Sequence, residues 1–207
     1  MGYAFSDITF TREVRDEQSR QGSREQYAFL DQVPEGSDQL RGREKSFIKQ
    51  ADHFFQATVS ASGWPYVQHR GGPAGFLKVI DDKTIGFADF SGNRQYISVG
   101  NLKTDNRISL ILMDYANQRR LKILGRVRTI EATDNPELME SLKIPGYKGR
   151  IERAFLIDVE GYDWNCPQHI TPRFTETQIE AMVAPLHNEI NRLKDLLAKA
   201  TKAEVPE

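Results

Sequence analysis

Between His53 and Asp163 the chain is a succession of short β-type segments separated by turn signals, and this pattern limits the fold more than any other feature. Phe54 to Ser60 is β-rich and runs into Ala61-Ser62-Gly63, a hairpin signal, with Tyr66 to Arg70 as the return strand. Gly75 to Ile80 is a third strand, closed by Asp81-Asp82-Lys83, and Thr84 to Asp89 a fourth. Arg107 to Asp114 carries the apolar run Ile108, Leu110, Ile111, Leu112. Arg119 to Ala132 alternates Leu121 and Ile123, then Val127 and Ile130, and Arg153 to Asp163 sets Phe155, Ile157 and Val159 on one face. Six or seven short strands joined by tight turns predict an antiparallel barrel in a mainly β, α+β chain.

Helical segments flank and interrupt this region. Residues 1–50 read as a helical N-terminal extension, with helices over Arg12 to Gln21, Ser23 to Leu30 and Arg43 to Asp52, and a loop at Val33 to Ser37. Residues 51–165 would be the barrel. Gln95 to Leu102 and Pro136 to Leu142 are short helices within it, the second with proline in its first turn. In the tail, residues 166–207, a helix is predicted over Thr175 to Ala200, opened by the capping box Thr175-Glu176-Thr177-Gln178. Its apolar positions Ile179, Val183, Leu186, Ile190, Leu193, Leu197 and Ala200 follow a heptad seam. Such a seam must be covered, on this chain's barrel or a partner's, and packing on a barrel surface is predicted. Pro185 removes one helix hydrogen bond, which predicts a kink or two abutting helices.

Lys and Arg number 28 against 29 Asp and Glu, a net charge of −1. No global positive field draws the chain to nucleic acid or an anionic membrane, so any phosphate site must be local. The single cysteine, Cys166, forms no internal disulfide and no cysteine-rich zinc site. The first ten residues lack a signal-peptide pattern, and no apolar run approaches the ~20 residues of a membrane span. A cytoplasmic protein is expected.

Four stretches can carry chemistry. Arg70-Gly71-Gly72-Pro73-Ala74-Gly75-Phe76 lets a flat ligand or another backbone come close, and Arg70 can fork onto a phosphate. The same stretch is equally a glycine-rich bulge with a solvent-facing arginine. Asp89-Phe90-Ser91-Gly92-Asn93-Arg94-Gln95 lies between a strand and a helix, where free N–H groups and side-chain donors suit a phosphate monoester, or cap an ordinary turn. Arg120 and Lys122 project from one face of a strand, toward an anion or toward solvent. Trp164, His169 and Arg173 can wall a pocket or serve as a connector. Cys166 and His169 have C-x-x-H spacing, but there is no second ligand pair for a metal and no group nearby to orient the histidine.

Taken in order, Arg70-Gly71-Gly72-Pro73-Ala74-Gly75-Phe76, Gly92-Asn93-Arg94-Gln95 and Leu121-Lys122-Ile123-Leu124-Gly125 resemble the pyridoxamine 5′-phosphate oxidase-related FMN-binding proteins over about residues 45–165. The resemblance implies a six-stranded split β-barrel and a homodimer with FMN in the groove between subunits. It implies that Arg70, Asn93 and Arg94, with Arg120 or Lys122, hold the flavin phosphate and ribityl chain. It also implies that Gly71, Gly72, Pro73 and Gly75 pass beside the isoalloxazine ring. Asp89, Ser91, Gln95 and Trp164 complete the expected cofactor set; no catalytic side chain and no metal ligand is assigned. In the true oxidases lysine follows the arginine, where Gln95 stands here, and their C-terminal Arg-x-His pattern is absent. Both departures point away from pyridoxamine phosphate as substrate. An FMN-dependent oxidoreductase is expected, with a non-catalytic flavin- or haem-binding protein and a deazaflavin-dependent reductase as alternatives on the same barrel.

Overall fold

A computed structural model describes residues 3–32, 34, 36–164 and 168–203, with side chains described as far as residue 199. Helices α1 (Tyr3–Thr9), α2 (Arg12–Arg20) and α3 (Arg24–Tyr27), a 3-10 turn (Ala28–Asp31) and α4 (Gly42–Gln50) precede the sheet. The sheet contains β1 (His53–Val59), β2 (Pro65–Gly71), β3 (Lys78–Val79), β4 (Thr84–Phe90), β5 (Arg107–Asp114), β6 (Arg119–Glu131) and β7 (Ile151–Trp164). Helix α5 (Ile97–Leu102) links β4 to β5, α6 (Pro136–Leu142) links β6 to β7, and α7 (Glu176–Ala203) ends the described chain.

All strand pairs are antiparallel, in the order β2-β1-β5-β6-β7-β4-β3. This is the expected α+β split barrel: six strands of at least seven residues, with the two-residue β3 added at one edge. The strand expected over Gly75 to Ile80 shrinks to β3 because the chain first turns, the Phe76 amide donating to the Pro73 carbonyl at 2.9 Å. That turn drops Phe76 and Leu77 into the core. A side chain at Gly72 would strike Phe76 at 2.9 Å, so glycine here serves packing.

The alternation on β1 sends Phe54, Gln56 and Thr58 inward. Phe54 stacks on Phe76 at 5.6 Å and meets Phe87 edge-on at 5.3 Å, and Phe87 stacks on Phe155 at 5.0 Å. Four aromatic rings from β1, the β2–β3 connection, β4 and β7 thus fill one interior. β6 and β7 are the longest strands, and their register shifts between Leu124 and Gly125, a bulge that bends the pair.

Helix α1 was not anticipated; its backbone lies against Gly161, where a Cβ would sit 2.7 Å from the Phe5 nitrogen. The capping box of α7 is formed, the Gln178 amide donating to Thr175 Oγ1 (3.3 Å) and the Thr175 amide to Gln178 Oε1 (2.9 Å). α7 is one continuous helix through Pro185, not two abutting helices. It does not settle on its own barrel: residues 176–199 are exposed, Val183 alone being half-buried.

A methyl group at Gly125 would stand 2.5 Å from the Asp158 carbonyl oxygen and 2.8 Å from Ile157. Neither neighbour is a free side-chain end. Gly125→Ala is therefore expected to destabilise the protein by about 1–3 kcal/mol, seen as a lower urea midpoint. An unchanged midpoint would show that the bulge yields freely.

Candidate functional site

The two edges of the sheet come together without a shared ladder, since β2 and β4 are not neighbours in the strand order. What joins them is charge. On β2, Tyr66, Gln68 and Arg70 face inward and are half-buried. Arg70 Nη1 donates to Asp89 Oδ1 at 2.7 Å, and Arg153 Nη1 donates to Asp89 Oδ2 at 2.8 Å. Asp89 and Arg153 face each other directly in the β4–β7 register. Arg153 also reaches Glu131 Oε1 at 3.2 Å and lies 3.6 Å from Glu152 Oε2. Burial works against the Arg153 charge, but the hydrogen bonds to Asp89 and Glu131 outweigh it and raise its pKa. The Arg70 guanidinium lies 5.5 Å from the Phe155 ring centre and 5.8 Å from that of Phe87, so the charged pair rests on the aromatic core.

Above this pair opens a cleft of about 210 Å³. Arg70, Asp89, Asn93, Arg94 and Gln95, all expected from the sequence, line it together with Gly92. The expected helix start is not there: α5 begins at Ile97, and the turn before it holds Arg94 (φ 60°) and Tyr96 (φ 52°) in the left-handed region. Those two conformations, uncommon outside glycine, turn Arg94 and the Asn93–Gln95 pair toward the cleft. The Gln95 amide donates to Asn93 Oδ1 at 3.1 Å. Arg94 Nε reaches Tyr96 Oη at 3.4 Å, and that hydroxyl donates to Glu152 Oε1 at 3.2 Å. The Tyr96 hydrogen bond, with the nearby Glu152 carboxylate, raises the Arg94 pKa.

Among the other lining residues, Tyr66, Gln68, Tyr96, Ser98, Val99 and Glu152 were not anticipated. The period-two alternation ending at Arg70 was the signal for Tyr66 and Gln68. Ser98 Oγ donates to Gln68 Oε1 at 2.8 Å, a contact between α5 and β2 that no local pattern announces. Glu152 arrives only through the β4–β7 pairing.

The remaining expected residues lie elsewhere. Gly71 ends β2 opposite His53, Gly72, Pro73 and Gly75 form the turn over the core, and Gly75 has φ +87°. Ser91 is tied by its amide to the Arg150 carbonyl at 2.9 Å. Arg120 and Lys122 point away from the core, Lys122 toward the Phe5 ring at 5.9 Å, while Arg120 Nε is buried without a hydrogen-bond partner among the described residues. Trp164 donates from Nε1 to Glu44 Oε1 at 2.6 Å and packs edge-on to Phe47, with Arg43 over its ring. Arg173 stands over Tyr115 at a second cleft, and Cys166 lies outside the described residues. Among the described residues no group of three His, Cys, Asp or Glu could hold a metal, and no helix is long and apolar enough to cross a membrane.

A family model described as pyridoxamine 5′-phosphate oxidase matches residues 40–156, from just before α4 to the middle of β7. The chain belongs to this family. HupZ of Group A Streptococcus has the same fold, with 18% identity, a TM-score of 0.50, and coverage of 65% of this chain and 99% of its own. Two further solved structures are similar at lower scores. A Clostridium acetobutylicum protein of the pyridoxinephosphate oxidase family has 16% identity, covers 66% of this chain and 94% of that one, and scores 0.45. An FMN-binding protein of Syntrophomonas wolfei has 10% identity, covers 72% and 97%, and scores 0.44. No curated protein sequence matches the chain.

Asp89 is the shared acceptor of two guanidinium groups, of buried Arg153 and half-buried Arg70. Asp89→Ala removes the Arg70 acceptor and leaves Arg153 with Glu131 and Glu152, and a loss of about 3 kcal/mol, the lower end for a broken buried pair, is expected, measured by chemical denaturation. A loss below about 1 kcal/mol, the range of an exposed ion pair, would show that the two sheet edges are held by other contacts.

Proposed function

We propose that this chain binds FMN by its phosphate in the cleft between Arg70 and Arg94 and acts as an FMN-dependent oxidoreductase on a substrate other than pyridoxamine phosphate. The carrying observation is the convergence of Arg70, Asn93, Arg94 and Gln95 from two separate segments on one cleft. The donor set suits a phosphate. Arg70 Nε is buried there with no hydrogen-bond partner among the described residues, and the side chains of Asn93, Arg94 and Gln95 stand exposed at the rim. Gly92 has no non-neighbouring atom closer than 4.0 Å to where a Cβ would stand, which leaves backbone accessible. When bound, FMN would supply the electron-transfer chemistry, while the protein supplies binding, orientation and electrostatics.

Arg70, shielded by Asp89 and fixed on the aromatic core, is the rigid cation of this site. Arg94 is the exposed counterpart, its Nε directed at the Tyr96 hydroxyl, which in turn donates to Glu152. Arg120 and Lys122, outside this cleft, are in the same reading contributors to a groove completed by a second copy, the protein acting as a homodimer. Family membership and the fold agree with such a site without fixing the substrate.

Arg94→Ala is expected to weaken FMN binding by about 1.5–3 kcal/mol, one charge-assisted contact, while the charge-matched Arg12→Ala on α2 leaves it unchanged. Fluorescence titration with free FMN measures both; equal affinities would remove the cleft as the phosphate site. The visible spectrum of the purified protein tests the cofactor itself, a Soret band in place of flavin bands overturning it. Pyridoxamine phosphate is expected to be turned over poorly, because the C-terminal Arg-x-His pattern is missing; rapid formation of pyridoxal phosphate would reverse that expectation.

A further inference from the structure

Helix α7 carries a surface that the rest of this chain leaves uncovered. Ile179, Leu186, Ile190 and Leu193 are 49%, 62%, 46% and 51% exposed, although an apolar stripe on a helix ordinarily faces a core or a partner. The stripe has a defined register. Its alternating spacing puts Val183, Ile190 and Leu197 at the a positions of a heptad, and Ile179, Leu186 and Leu193 at the d positions. Val183 and Ile190 at a with Leu186 and Leu193 at d form the combination that favours two parallel strands, while Ile179 at d and Leu197 at a depart from it at the two ends. Met182 and Leu196 at g widen the seam. Pro185 falls at c, on the side away from it, so the proline does not interrupt the contact.

The charges complement one another in the same register. Glu189 stands at g and Lys194 at the following e, and in a parallel pair the g side chain of one helix meets the e side chain of the next heptad on the other. Two Glu–Lys contacts therefore flank Ile190 and Leu193 across the seam. Within one helix, residues five apart are not neighbours, so Lys194 answers Glu189 only between helices. In the single chain Glu189 instead forks onto Arg192 at 2.7 Å, both groups being exposed, a contact that exchanges at little cost.

We infer that α7 pairs with α7 of a second copy of this chain as a parallel, in-register, two-stranded coiled coil. About three heptads are few for a free coiled coil, but pairing of the barrels would tether the two helices and raise their effective concentration. The inference draws on the barrel pairing proposed above only for that tethering.

Disulfide trapping in the full chain tests it, with Cys166→Ser as background. A disulfide needs Cα atoms within about 7 Å, a distance available at d and not at the outward b position. Leu193→Cys under copper-phenanthroline oxidation is expected to form covalent dimers at least roughly fivefold faster than Asn191→Cys. Adding Glu189→Lys should slow the Leu193→Cys reaction, and adding Lys194→Glu to that variant should restore it. Equal rates at the two cysteine positions, as for a helix lying on the partner's barrel, would overturn the proposal. So would failure of the double charge exchange to restore the rate. Light scattering of the reduced Leu193→Cys/Glu189→Lys protein, whose helix pairing is opposed by charge, reports barrel pairing separately: a dimer there with slow cross-linking keeps the barrel pairing, and a monomer shows that the helices alone had held the copies together.

Discussion

The Asp89 carboxylate, held between Arg70 and Arg153, is the contact on which the rest of the barrel depends. An open sheet of this length must curl to cover its own interior, and its two edges then approach without a backbone ladder to join them. Asp89, on β4, joins them by one oxygen to Arg70 on the edge strand β2, while its other oxygen holds Arg153 on the neighbouring strand β7. Such a buried arrangement is strong only when every ion is satisfied, because the desolvation of each must be offset by its partners. Here one carboxylate serves two cations, and Glu131 and Glu152 supply further negative charge to Arg153.

That solution leaves a residue of unused capacity on one side. Arg70 spends Nη1 on Asp89 and rests its guanidinium on Phe87 and Phe155, yet its Nε finds no acceptor among the described residues. Arg70 is also one of the residues that line the cleft. The bulge after Asp89 and the left-handed residues Arg94 and Tyr96 carry the chain around the opening instead of across it. Closure of the barrel and formation of the cleft lined by Arg70 are therefore two consequences of the same cluster.

Packing also accounts for the glycine-rich stretch differently from chemistry. Gly72 yields its side-chain space to Phe76, which completes the aromatic interior with Phe54. Gly125 and Gly161 likewise give way to backbone, at the β6–β7 bulge and under α1. In each case the missing Cβ admits a neighbour from the same chain, four residues on at Gly72 and distant in sequence at Gly125 and Gly161.

The alternation of apolar residues by itself determined an antiparallel barrel, and local signals marked α6 by its first-turn proline and α7 by its capping box, because periodicity and capping are local properties; that the barrel is of the split kind followed from the family resemblance. The sequence also marked Arg70, Asn93, Arg94 and Gln95, whose neighbours signal turns. Only the tertiary structure decided that these four share a cleft with Glu152 and Ser98, that Trp164 packs on Glu44 and Phe47, and that α5 begins at Ile97. It also decided that the seam of α7 finds no cover on its own barrel. The physical reason is common to all of these. Each depends on which distant strand or helix arrives alongside, and that is set by the pairing of sheet edges and the packing of the aromatic core, not by the residues adjacent in the chain.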